Sequence, residues 1–122
     1  MSKKVIIVII LFAAYAAYSS WVYTKGTELA KPLIYTEQQQ KGKQLWQQNN
    51  CISCHQLYGL GGFIGPDLTH VISDKNRGKA LAVAMMKNGN NVMPNFQFKD
   101  EDVNSLVSYL TYIDSTANNS AK

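Results

Sequence analysis

Cys51-Ile52-Ser53-Cys54-His55 decides how this chain is read. C-x-x-C-H is the attachment signature of c-type haem. Two thiols three positions apart on one helical turn can each add to a vinyl group of the porphyrin. The next residue then points its imidazole at the iron. Covalent attachment by Cys51 and Cys54, with His55 as axial ligand, holds the cofactor in a domain too small to enclose it.

Three other readings of the motif are weaker. A thioredoxin-like C-x-x-C needs a βαβ surround, and no such pattern flanks it. A structural zinc site needs four ligands. Cys51, Cys54, His55 and His70 could supply them, but adjacent Cys54 and His55 are awkward around one tetrahedral centre. A Cys51–Cys54 disulfide would close a strained, tight loop.

A haem iron closed on both faces needs a second axial ligand, and the candidates are Met85, Met86, Met93 and His70. Met93 precedes Pro94 in a loop, so its side chain is not committed to a helix face. Met85 and Met86 sit at helical spacing, where methionine is more often core filler. His70 lies close in sequence to the attachment site and suits a surface or supporting role. Met93 is therefore the expected ligand, and a His/Met pair raises the haem potential relative to His/His.

Outward from the motif, the chain reads as all-α: a single N-terminal transmembrane helix followed by a small haem-binding domain. Thr36 and Gln39 form a capping box that opens a helix running to about Gln48. Gly42 within that helix marks a close approach by another helix. Tyr58 to Pro66 holds four glycines in nine residues and reads as irregular loop rather than strand. A short helix over 79–87 presents Leu81, Ala82, Met85 and Met86, and Asn88-Gly89-Asn90-Asn91 ends it. The last helix starts near Asp100, with three acidic residues at its positive end. Val103, Leu106, Val107, Leu110 and Ile113 give it an amphipathic stripe. The polar tail from Ser115 to Lys122 is expected to fray.

At the other end, Val5 to Tyr23 is 19 residues without a charge. As a helix it spans about 28 Å, close to the ~30 Å hydrocarbon core. Trp21 and Tyr23 sit where an interfacial aromatic belt belongs, and Lys3 and Lys4 favour the cytoplasmic side. A cleaved signal peptide is the competing reading, because Val5 to Ala17 suits an h-region with small residues beyond it. The apolar run continues through bulky aromatics, which favours a retained anchor. The expected organisation is an anchor over 1–25, a linker over 26–35 containing Pro32, and the haem domain over 36–122. Both readings of the N-terminus place that domain outside the cytoplasmic membrane.

Composition agrees. Hydrophobic residues make 46% and charged residues 16%, low for a freely soluble domain. The formal net charge of +4 comes largely from lysines flanking the apolar run. The rest of the chain is close to neutral and has no basic stripe with interleaved aromatics, so a nucleic-acid partner is not expected. Two cysteines cannot build a secreted disulfide framework.

Residues 36 to 113 resemble class I c-type cytochrome domains. The resemblance rests on C-x-x-C-H after a helix, Gly65-Pro66-Asp67-Leu68, Met93-Pro94, and an acidic-capped final helix. It implies that Gly42 and Trp46 cross against Tyr109 and Leu110. It also implies that the Pro66 carbonyl accepts the outer N–H of His55. Over nearly the whole chain the sequence resembles the small cytochrome c subunits of cytochrome c-dependent nitric oxide reductases. The stretches that carry this are Gly42 to Trp46, Asn50 to His55, Leu57 to Phe63, Pro66 to Leu68 and Met93 to Phe96, together with the anchor.

That resemblance implies an electron-transfer subunit with no catalysis of its own. It would carry one covalent haem c on the periplasmic side of a bacterial inner membrane. It would accept electrons from a soluble cytochrome c or cupredoxin and pass them to haem b of a large multi-helix subunit. The large subunit there joins two NO into N2O. The resemblance further implies a calcium ion at the subunit interface, held partly by backbone oxygens at Gly61 and Phe63. Two alternatives remain open. One is a cytochrome subunit of another haem–copper oxidase, or a stand-alone tethered carrier. The other is a gas sensor or peroxidase with an open iron, which requires that Met93 not ligate.

Overall fold

The computed structural model describes residues 2–29 and 34–120. The chain divides into two compact units, Met1–Ile34 and Tyr35–Lys122.

The first unit is one helix, α1 (Lys3–Leu29). Six consecutive β-branched residues, Val5 to Ile10, lie in it. Such a run loses side-chain freedom in a helix and in water favours strand. In lipid the choice is forced, because every backbone polar group must be satisfied within the segment. Lys3–Gly26 is long and apolar enough to cross a membrane, and none of its most apolar stretch is buried. The Thr24 hydroxyl donates to the Ser20 carbonyl at 2.7 Å, so this polar group is satisfied within the helix. The helix runs past the expected boundary at Lys25: Gly26 to Leu29, read above as linker, are helical. Pro32 and the middle of that linker lie outside the described residues.

The second unit holds α2 (Glu37–Gln48), a 3-10 turn (Cys51–Ser53), an antiparallel pair β1 (Gln56–Leu57) and β2 (Leu60–Gly61), α3 (Gly78–Asn88) and α4 (Asp100–Ser120). The capping box is present: the Gln39 N–H donates to Thr36 Oγ1 at 3.2 Å and the Thr36 N–H to Gln39 Oε1 at 2.9 Å. The stripe of α4 is buried as expected, with Leu110 at 1% exposure and Val103 at 2%. Around it gather Trp46, Leu57, Val71, Met86 and Tyr109.

The core is organised by the crossing of α2 and α4. A Cβ built on Gly42 would stand 2.0 Å from the Ser105 carbonyl oxygen and 2.8 Å from Tyr109 Cβ. Only glycine allows that approach. Lys41 on α2 pairs with Glu101 at 2.5 Å and Asp102 at 3.3 Å, beside the same crossing.

Two local expectations are corrected. The glycine-rich stretch contains a minimal hairpin rather than only loop, with Gln56 opposite Gly61 and Leu57 opposite Leu60. Its two turn residues, Tyr58 at φ 55° and Gly59 at φ 74°, both take positive φ, the requirement of a type I′ turn. Tyr58 tolerates this because its N–H donates to Thr69 Oγ1 at 2.7 Å and its hydroxyl meets the Ile113 carbonyl at 3.3 Å and the Thr116 hydroxyl. The second correction is at the C-terminus. Ser115 to Ser120 continue α4 instead of fraying. Tyr58 clamps one side of that extension, and Asn118 donates to Asp114 at 2.8 Å on the other.

Asp114 is buried at 4% exposure, and its carboxylate holds the turn after Val71. Ser73 donates through its N–H at 2.7 Å and its hydroxyl at 2.9 Å. Burial alone pushes the carboxyl up. The Ser73 donors and His70 outweigh it and hold the carboxyl below its ordinary range.

This packing sets two expected outcomes. Gly42→Ala should lower the stability of the full chain in detergent by about 1–3 kcal/mol, read as a drop in thermal midpoint. Because the folded Asp114 carboxyl titrates below its unfolded value of about 3.9, its stabilisation is complete above that pH and is lost as pH falls through the folded value. Asp114→Asn should therefore cost roughly 1.5–3 kcal/mol at neutral pH and flatten the acid limb of a circular-dichroism titration.

Candidate functional site

The C-terminus of α2 builds the attachment turn. Asn49 closes the helix by donating its N–H to the Leu45 carbonyl at 3.1 Å and its side-chain amide to the same carbonyl at 2.8 Å. Asn50 then takes a left-handed conformation, φ 51°, and redirects the chain into the 3-10 turn. The His55 N–H donates to the Cys51 carbonyl at 3.0 Å. Cys51 and Cys54 are free thiols, so the disulfide alternative is not what the structure holds. Burial pushes the Cys51 thiol up.

The loop after the hairpin is sewn back onto this turn. Gly62 N–H donates to the Ile52 carbonyl at 2.8 Å, Gly65 N–H to the Cys54 carbonyl at 2.7 Å, and Leu68 N–H to the Gln56 carbonyl at 3.0 Å. The imidazole of His55 packs against Gly65, where an added Cβ would meet ring atom Cε1 at 2.4 Å. Its Nδ1 is 2.9 Å from the Pro66 carbonyl oxygen, and a carbonyl can only accept, so the proton resides on Nδ1. Nε2 is left as the nitrogen with a lone pair to offer.

Cys51, Cys54, His55 and Met93 line one cavity of about 610 Å³. That volume falls within the roughly 300–1,000 Å³ of cofactor and ligand sites. Its walls are mostly apolar, from Leu68, Val71, Ala82, Met86 and Leu110 among others. Ile64 and Val92 line it while each is 69% exposed, the kind of apolar surface a flat hydrophobic ligand covers. Two thiols, an imidazole nitrogen and thioether sulfur around an apolar cavity fit a covalently held porphyrin iron.

Met93 is presented by a tight turn. Asn90 Oδ1 accepts the N–H of Val92 at 2.8 Å and of Met93 at 2.7 Å, and the Asn90 N–H donates back to the Met93 carbonyl at 2.8 Å. Met85 and Met86 also line the cavity. Met86 is 7% exposed and packs in the core. His70 is not a cavity residue: its Nδ1 faces Asp114 Oδ1 at 3.4 Å. The zinc alternative therefore does not assemble, and among the described residues no group of three or more His, Cys, Asp or Glu side chains could hold a metal.

Gly61 pairs with Gln56 in the hairpin, and Phe63 stands on the following loop at 85% exposure. Calcium takes six to eight oxygens, so the backbone oxygens of Gly61 and Phe63 would be only part of such a shell. Arg77 was missed by sequence reasoning. It lines the cavity, and the only signal available was that it is the sole arginine in the chain.

Residues 37–110 match the family described as cytochrome C oxidase, cbb3-type, subunit III. The chain is 30% identical over 117 residues to the nitric oxide reductase C subunit of Halomonas halodenitrificans, covering 86% of this chain and 77% of that one. It is 31% identical over 86 residues to the nitric oxide reductase C subunit of Stutzerimonas stutzeri, covering 63% and 59% respectively. It is also 30% identical over 105 residues to cytochrome c oxidase subunit 2 of Alkalihalophilus pseudofirmus, covering 76% of this chain but 30% of that protein. A cytochrome c-type domain implies haem c, and α1 fits a transmembrane anchor, so these likenesses support a membrane-anchored electron-transfer subunit. Matched over most of its outer unit by a cytochrome c-type family and over most of its length by such a relative, the chain belongs to the family of nitric oxide reductase C subunits.

Proposed function

We propose that this chain is a membrane-anchored monohaem cytochrome that relays single electrons from a soluble periplasmic donor to haem b of a large reductase subunit. There, two NO, two electrons and two protons become N2O and water. The observation that carries the reading is the His55 imidazole, fixed by the Pro66 carbonyl and lining one cavity with both thiols and Met93. In this reading Cys51 and Cys54 would hold the haem through thioether bonds, and His55 and Met93 would ligate its iron.

Haem c, when bound, supplies a one-electron iron couple. The protein's part is positional. Pro66 keeps the proton on Nδ1 and so fixes the tautomer and the ring plane, the usual role of an outer partner to a ligating histidine. Gly65 leaves room for that plane. The apolar walls exclude water, and thioether ligation favours the reduced iron. With His55 and Met93 both ligating, the iron would have no open place for substrate, and α1 would keep the haem at high effective concentration beside its acceptor. Lys3 and Lys4 favour the cytoplasmic side, which supports a periplasmic outer unit.

A second reading, a subunit of a haem–copper oxidase, is supported by the likeness to cytochrome c oxidase subunit 2. Purification from detergent-solubilised membranes separates the two. The reductase reading expects a haem b protein and NO consumption, whereas a copper-containing O₂ reductase would reject it.

Met93→Ala should abolish the sulfur-to-iron charge-transfer band of the oxidised protein, admit CO to the reduced iron and lower the midpoint potential. Retention of that band in Met93→Ala, with its loss in Met85→Ala, would move the axial assignment to Met85.

A further inference from the structure

One wall of the cavity is the segment that joins α3 to α4: Asn90, Val92, Met93, Pro94 and Phe96 all line it. This wall has little buried surface to hold it down. None of the described residues from Lys87 to Asp100 is buried. Phe98 packs against the core, with Phe96 stacked on it at 5.3 Å between ring centres. The base of the segment is clipped by Lys87 Nζ and Asp100 Oδ1 at 2.6 Å. Both side chains are exposed, where such a pair contributes little and is screened by salt. A surface segment of this kind opens at low cost unless local hydrogen bonds hold it.

Those bonds converge on Asn90. Its Oδ1 accepts the N–H of Val92 and of Met93, and its own N–H returns to the Met93 carbonyl. Gly89, at φ 64°, brings the chain in close enough for this: an added Cβ would stand 2.6 Å from the Met93 carbonyl oxygen. One side chain thus sets the shape of the turn that presents the Met93 sulfur. Asn88, two residues earlier, bonds elsewhere, donating its side-chain amide to the Ala84 carbonyl at 3.0 Å at the end of α3.

We propose that Asn90 is the positioning residue that holds the Met93 thioether on the iron, and that it thereby controls how readily a diatomic gas reaches that iron. This rests on the haem reading above and on Met93 as the sulfur ligand. For carbon monoxide to bind, the bond from sulfur to iron breaks and one from carbon to iron forms, with no electron transferred. The observed binding rate is then scaled by the fraction of molecules with the sulfur off. Losing about one net hydrogen bond from the turn raises a small fraction about tenfold, the equivalent of ~1.4 kcal/mol. In a subunit that stands beside an NO-consuming centre, a sulfur that left readily would let this iron capture the gas meant for its partner.

The test uses the full haem-loaded chain in detergent, with haem quantified as the pyridine haemochrome and carbon monoxide mixed with the reduced protein. Asn90→Ala should bind carbon monoxide about tenfold faster than the parent and weaken the sulfur-to-iron band of the oxidised form. Asn90→Asp keeps an oxygen for both N–H groups and should stay close to the parent. Asn88→Ala loses a hydrogen bond at the same helix end and should leave the rate unchanged. Should Asn90→Ala fail to accumulate, Asn90→Gln decides in its place, because its longer side chain keeps the amide but cannot close the turn. Parental rates in Asn90→Ala or Asn90→Gln would overturn the assignment. An Asn90→Asp as fast as Asn90→Ala, or an equal rise in Asn88→Ala, would overturn it too, since either means general loosening. A parent chain that lacks the sulfur-to-iron band and binds carbon monoxide at once would instead overturn Met93 as ligand, and this assignment with it.

Discussion

The hydrogen bond from His55 Nδ1 to the Pro66 carbonyl is the contact on which the site depends. It joins the attachment turn to the loop after the hairpin, and it sets which imidazole nitrogen is available. Its geometry is over-determined. The Pro66 carbonyl is carried by a loop that three backbone hydrogen bonds pull onto the segment from Ile52 to Gln56, and Gly65 leaves room for the ring. A ring fixed this way cannot trade tautomers, which is what a metal ligand requires.

The cavity and the core are not separate compartments. Val71, Met86 and Leu110 belong to both the buried cluster and the cavity wall. A domain this small has little interior to spare, so a ligand filling the cavity would complete the core as well as perform the chemistry. Binding free energy would then be stability, because a ligand held only by the folded state shifts the unfolding equilibrium. The α2–α4 crossing at Gly42 supplies the rest of the framework, and the amphipathic stripe of α4 faces both the crossing and the cavity.

Much of this was legible in the sequence, for identifiable reasons. C-x-x-C-H points to a chemistry by spacing alone, so the thiols and His55 were singled out without knowing the fold, and the structure sets them along one cavity. The capping box and the α4 stripe are local signals and were read to within a residue at their starts. Pro66 came from resemblance, not from residue physics. What escaped were features made by tertiary contacts. The hairpin escaped because Tyr58 at positive φ goes against its own preference and is held by Thr69 and α4. The last turns of α4 escaped because their residues are polar, and only in the fold do Asp114 and Tyr58 anchor them. That Arg77 lines the cavity depends on where Asp74 and Asp67 hold its guanidinium, and spacing does not reveal that. Three methionines line the cavity, so the structure narrows the sulfur ligand no further than the loop argument for Met93 already did.

The β-branched run at the start of α1 bears on how the protein is made. In water, Val5 to Ile10 has the makings of an aggregation-prone strand: apolar, uncharged and free of proline. Only the bilayer turns it into a helix. Delivery to the translocon during translation would keep this segment from meeting the cytosol as free chain. On the function proposed above, the thiols would then be carried across unfolded and reduced, with folding of the outer unit deferred until cofactor attachment on the far side.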